Sequence, residues 1–432
     1  MTVGIRPPVL AVFMLAALLA LNSAARAGPA TAPATQAADP QVSRLITQLG
    51  ADDWRRREQA SAELLKLGMA VLPHIADALE RTTDPEMRTR LEALARRIPE
   101  ADLTLPTYIT LKATNAPARV VLAEIASQAG VPIAFWPEND NAPLKPVTVD
   151  FQRRPFWRAL LEVCAQADLS PEDIGQRGAI RLMRTSAMRI SPFAHGVDQF
   201  LFTVDRLNRN YSVSFVGGPE ARVNTSFQVT MTVWIDPKAL VLRHRYAPLI
   251  TEARDEHGNS LAPPTAPSSG YYNSFSGRNW RLNLNVPLNY PEGAGKMIAS
   301  LRGTWSVVLA TRVETVEFTE IIGAKDVSRS VGPFQVTLKE FARSGAQSYR
   351  WSLTMTGLGG VPVVSSPANP LAPTALYSIV GTNGEPITEG TITGGISGSI
   401  GSANVPTKLF IRVATELREE AVPFVFKDIP IP

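Results

Sequence analysis

The side chains that carry most enzymatic chemistry are scarce in this 432-residue sequence. Its histidines are His74, His195, His244 and His257, and its single cysteine is Cys164. No two histidines form an H-x-x-x-H pair, and a C-x-x-C is absent, so metal-ligand spacing is missing. A nucleophilic Cys164 would need exposure and a neighbouring base. It shares a helical face with Phe156, Leu160 and Val163, which predicts a buried, inert thiol. There is no G-x-S-x-G elbow, Walker loop or dinucleotide fingerprint. The run from Gly394 to Gly401 lies among strand-like segments rather than between a strand and a helix. It is read as a flexible hairpin loop, not a phosphate cradle. The chain is therefore expected to be noncatalytic, with no cofactor and no metal.

Three groups remain as candidates for binding. Asp255-Glu256-His257-Gly258-Asn259 offers oxygens that calcium would accept, but EF-hand spacing is missing, and an Asx-type β-turn explains the same residues without an ion. Tyr271, Tyr272 and Phe275 cluster in a Ser/Gly/Asn-rich loop. Such aromatics stack on a sugar or anchor a protein partner, or else fold back over a core. Arg55, Arg56 and Arg57 form either an anionic docking patch or a solvated helix face, since acids and bases nearly balance around them.

The elements that must position these groups centre on a segment written twice. Ile109-Thr110-Leu111 leads to Pro117, then Leu122, Glu124, Gln128 and Ala129. Val147-Thr148-Val149 leads in the same order to Pro155, then Leu160, Glu162, Gln166 and Ala167. Each copy reads as a strand, a proline-started helix and another strand. Trp136 and Trp157 are read as core or interdomain packing. The stretches "ITLKATNAPARVVLAEIASQAGVPIAF" and "PVTVDFQRRPFWRALLEVC" resemble the secretin and TonB short N-terminal (STN) domain. That resemblance implies a periplasmic α/β module mediating protein–protein contacts over residues 107–184. No secretin or barrel segment follows it.

Upstream, residues 41–100 are helical. Val42, Leu45, Ile46 and Leu49 keep helical spacing, Asp52 or Asp53 caps a second helix that Gly68 ends, and Asp84-Pro85 opens another. The pattern "DDWRRREQASAELLKLGMAVLPHIADAL" resembles a HEAT-type repeat, in which paired helices stack on their neighbours. Downstream of Ile190 the spacing changes to alternation, as in Phe227-Val229-Met231-Val233 and Trp351-Leu353-Met355. This predicts two all-β, immunoglobulin-like sandwiches, 190–330 and 331–432, with 262–279 and 357–373 as loops.

Arg6, the apolar run Val9–Leu21 and Ala25-Arg26-Ala27 read as an export signal over residues 1–27, cleaved near Ala27. Residues 28–40 read as a disordered Pro/Ala/Thr tether. Cleavage removes Arg6 and Arg26 and no acids, lowering the formal +4 by two. So small an excess gives no argument for nucleic acid. The mature chain should hold no membrane span. The expected molecule is a multidomain α+β protein of the periplasm or cell envelope, similar in arrangement to exported bacterial proteins to which no activity is attached. Its expected role is binding or scaffolding an envelope protein partner, through a helical face or an exposed strand edge of the duplicated unit. The alternative is binding of carbohydrate or wall polymer through the β region. The oligomeric state is open at this level.

Overall fold

The structure, a computed structural model, describes residues 40–137, 142–172, 179–185, 191–215, 222–263, 272–274, 280–357, 375–392 and 394–431. The expected signal and tether, and most of the two long loops, lie outside the described residues. The fold is mixed α+β, mostly strands in several antiparallel sheets with few helices. It divides into two compact units, Met1–Glu92 and Ala93–Pro432.

The first unit is helical. Helices α1 (Pro40–Gln48), α2 (Trp54–Leu67) and α3 (Leu72–Arg81) precede α4 (Pro85–Thr104), whose start belongs to this unit. The Asp53 carboxylate accepts from Arg55 N–H and Asp84 from Glu86 N–H, so the first turns of α2 and α4 are capped. Gly68 ends α2 at φ +67°, a conformation that suits glycine. Val42, Leu45, Leu49, Ala60, Leu64, Val71, Ile75 and Leu91 are buried here.

The second unit begins with the duplicated segment. Its elements are β1 (Tyr108–Pro117), α5 (Ala118–Ala129), β2 (Ile133–Trp136), β3 (Pro146–Pro155), α6 (Phe156–Gln166), β4 (Leu169–Glu172) and β5 (Ile180–Arg184). Strands β1 and β3 form an antiparallel ribbon in which Tyr108 opposes Pro155 and Pro117 opposes Pro146. These two pairs exchange when each residue is replaced by its counterpart in the other copy, so the duplication becomes a local two-fold. The symmetry extends to side chains. Gln128 accepts from Thr110 N–H and donates to Thr110 C=O, both at 3.0 Å. Gln166 does the same to Thr148, at 2.9 and 3.2 Å. Asn115 and Arg153, both at φ +49°, donate their backbone N–H to the Thr148 and Thr110 hydroxyls respectively. Three further strands make a second sheet in the order β2-β5-β4, with β2 parallel to β5.

The remaining strands are β6 (Ala194–Val197), β7 (Phe200–Ser214), β8 (Arg222–Ile235), β9 (Val241–Arg245), β10 (Leu249–Asp255), β11 (Tyr272–Ser274), β12 (Arg281–Leu288), β13 (Met297–Thr319), β14 (Lys325–Val331), β15 (Phe334–Arg343), β16 (Ser348–Gly357), β17 (Ala375–Gly381), β18 (Pro386–Ile392), β19 (Gly395–Gly401) and β20 (Pro406–Pro430). They form sheets β12-β8-β7-β6, β14-β15-β16-β19 and β11-β9-β13-β20-β17-β18, with β10 added on β13. Strands β13 and β20 pair from Met297↔Pro430 to Thr319↔Lys408 and serve two cores. Leu301, Trp305, Val307 and Phe424 lie in one, while Phe318, Leu409 and Ile411 lie in the other. Between the cores each strand carries one extra residue, Thr311 in β13 and Thr415 in β20. A one-residue insertion reverses which side chains face a given side. Core-facing positions in β13 accordingly change from odd-numbered to even-numbered.

The duplicated segment is welded to the first β core. Its own core includes Leu201 of β7, Trp234 of β8 and Trp280, the residue just before β12. Trp157 Nε1–H donates to Ile235 C=O at 2.6 Å, and its ring lies 4.9 Å from that of Trp234. Thr107 donates from its N–H and its hydroxyl to the buried Asp236 carboxylate at 2.7 and 2.8 Å. Gln199 donates to the carbonyls of Leu103 and Leu105, and Lys238 pairs with Asp102.

Two expectations are corrected. Trp136 is not a packing residue but is 41% exposed. The glycine run is not a hairpin loop: Gly395–Gly401 is strand β19, paired along β16. One of its glycines, Gly398, makes room for the Trp351 ring by its missing side chain. A Cβ there would lie 3.0 Å from it. An aromatic laid over a strand glycine supplies the cover that the glycine lacks.

Candidate functional site

Three of the groups able to do chemistry, Cys164, His244 and Asp236, are buried in the fold. Cys164 is fully buried on α6, and burial pushes its thiol pKa up, away from the reactive thiolate. His244 is buried, donates from Nδ1 to Arg245 C=O at 2.9 Å and packs on Trp305, and burial lowers its pKa. Asp236 is raised by burial against the opposing pull of its Lys238 and Thr107 hydrogen bonds.

The turn at Asp255 is an Asx-type turn with further donors converging on it. The Asp255 carboxylate accepts from the N–H of His257, Asn259 and Gly295 and from the Asn259 side chain. Burial raises its pKa, but these donors outweigh burial and hold it at about 2. Glu256 accepts from Lys296 and Met297 N–H. Both carboxylates are thus occupied by amides rather than aimed at an ion. Among the described residues no His/Cys/Asp/Glu cluster could hold a metal.

The arginine triplet is split by role. Arg57 donates to the carbonyls of Ala51 and Asp52 and pairs with Glu86, tying the start of α2 to α4. Arg55 and Arg56 remain exposed on α2, Arg55 lying 6.0 Å from the Trp54 ring. Of the aromatic cluster, Tyr271 and Phe275 lie outside the described residues. Tyr272 begins β11, opposite Arg245 of β9, and its side chain is also outside them.

What the structure brings to one place is a strand edge that the sequence did not mark. Strand β2 is an edge strand of its sheet. Ile180 N–H donates to Pro132 C=O, so the parallel ladder turns the backbone polar groups of Pro132 and Ala134 toward β5 and the N–H and C=O of Ile133 and Phe135 outward. No described strand pairs with that outer side. Arginines flank it on both faces: Arg119 stacks 4.0 Å from the Phe135 ring, and Arg181 lies 5.1 Å from Trp136. The β1–β3 ribbon differs, because its outward Thr110 and Thr148 amides are already taken by Gln128 and Gln166. Trp136 carried no periodic signal beyond ending a strand, and Arg181 none at all.

No helix among the described residues is long and apolar enough to cross a membrane. Comparison of the chain with protein-family models, with curated protein sequences and with solved structures gave no match.

Proposed function

We propose that this chain is a noncatalytic, exported envelope protein that binds another protein as a scaffold component. In this reading residues 1–27 are the export signal, 41–100 a HEAT-like segment and 107–184 an STN-like module. The β region, residues 190–432, would hold two immunoglobulin-like sandwiches that share β13 and β20 and so do not divide at the expected 330/331 boundary. The binding element is the outer edge of β2, where an extended segment of the partner adds as a further strand. Backbone hydrogen bonds give such a mode its affinity, and Trp136 with Arg181 would select an apolar and an acidic side chain of the partner.

The observation that supports this reading is the contrast between two edges of one module. One ribbon is closed by glutamine side chains, while β2 carries an exposed tryptophan beside an arginine. Deleting residues 107–184 would strip Leu201, Trp234 and Trp280 of their cover, so point variants are the informative test. Crosslinking in envelope extracts should recover a partner with the wild type and lose it with Trp136→Ala/Arg181→Glu at unchanged melting temperature. If every crosslinked protein is retained by that variant, the reading fails.

A further inference from the structure

The β7–β8 hairpin runs past the sheet that holds its base. Strand β6 pairs with β7 only over Phe200–Thr203, and β12 pairs with β8 only from Phe227 onward. Beyond those points β7 pairs only with β8 among the described strands, up to Ser214↔Arg222. The outcome is a two-stranded ribbon extending from the first β core.

One face of this ribbon is the core face continued into solvent. Phe200, Phe202 and Val204 point into the core. An extra residue, Asp205, then shifts the alternation by one. Leu207 packs against the core, and the Arg209 guanidinium lies 4.0 Å from the Tyr290 ring. The same face continues as Tyr211 and Val213, 68% and 40% exposed, and Phe215, the residue just past the strand, is 67% exposed. The opposite face is polar, with Asn208, Asn210, Ser212 and Ser214. An apolar stripe on a strand whose outer edge meets no other described strand is a template for another strand.

We infer that this stripe is covered by a second copy of the chain, with β7 pairing antiparallel to β7 of the copy about a two-fold axis at Tyr211. That register sets Leu207 opposite Phe215, Tyr211 opposite itself and Arg209 opposite Val213. On the other face it sets Asn208 opposite Ser214 and Asn210 opposite Ser212. Apolar thus meets apolar, polar meets polar, and no like charges face each other. Centring on Arg209 would oppose the two Arg209 guanidiniums, and centring on Asn210 would place Phe215 against Asp205. Residues directly across an antiparallel ladder have Cα atoms about 4.5–5.5 Å apart, within disulfide reach. This surface shares no strand with the β2 edge, so either proposal can fail alone.

Sedimentation velocity of the full mature chain should show a dimer that is lost in Tyr211→Arg, which brings two guanidiniums together at the axis. Under oxidising conditions Tyr211→Cys should crosslink to itself, whereas Ser214→Cys, opposite Asn208, should not. The buried Cys164 does not compete. A wild-type chain that sediments as a monomer overturns the inference, as does a dimer that survives Tyr211→Arg. Capture of a monomer on anionic phospholipid vesicles, abolished by Tyr211→Arg, would also overturn it and give the ribbon to a lipid surface.

Discussion

Replacing Gln128 or Gln166 by alanine removes two hydrogen bonds from the middle of a strand, the same two in each copy. A net hydrogen bond contributes about 0.5–1.5 kcal/mol, and these are solvent-accessible, so each glutamine should supply about 1–2 kcal/mol. Alanine returns a few tenths of a kcal/mol of helix propensity, leaving a loss of about 1 kcal/mol per site. Gln128 also holds Glu124 at 2.8 Å, so its loss should be the slightly larger. Glutamate can still accept from the threonine N–H but cannot donate to its carbonyl, so Gln→Glu should cost more than half as much as alanine. Urea unfolding followed by far-UV circular dichroism gives the comparison directly. The two alanine variants should lose similar amounts with unchanged denaturant slope. Neutral behaviour at both sites, or a loss at one site with none at the other, would refute the symmetric clamp.

Trp157→Phe should keep most of the packing but leave the buried Ile235 carbonyl without its donor, destabilising the second unit by about 1–3 kcal/mol in the same urea assay. Asp255 sits below its ordinary range in the fold, so its stabilisation is present above the unfolded carboxyl pKa and is lost as pH falls toward about 2. Asp255→Asn should therefore flatten the acid limb of the stability–pH profile, read by melting at successive pH values. Gly398→Ala should cost about 1–3 kcal/mol by crowding the Trp351 ring, whereas Gly395→Ala, with nothing nearer than 3.6 Å, should be tolerated; thermal melts of the pair test this.

Local pattern was enough to see much of this architecture. The spacing of Val42, Leu45 and Leu49 gave a helix, and the two Thr…Pro…Gln copies gave matching strand–helix units. The alternation of Phe227 to Val233 gave a strand with one face buried. Such signals arise between residues a few positions apart. Where the sequence misled, the cause lay in a distant partner. A glycine run has low strand propensity, and its pairing along β16, with Trp351 laid over Gly398, is not visible in the run itself. The single-residue insertions at Thr311 and Thr415 look like ordinary alternation until the two strands are laid side by side. Of the candidate residues, the Asp255 turn was legible because Asx turns use the next few amides, although Gly295 was not. The β2 edge was invisible, since being an edge is a property of the sheet and not of the four residues that form it.

The sharing of β13 and β20 between two cores has a consequence for biogenesis. Phe424 and Val422 belong to one core and Leu409 and Ile411 to the other, all on the last strand described. Translation delivers residues in order, so a nascent chain leaves both cores unfinished until that strand has emerged. The polypeptide is thereby kept unlocked while it is being made, and a premature stop before Pro406 would cripple both cores at once rather than trim one of them.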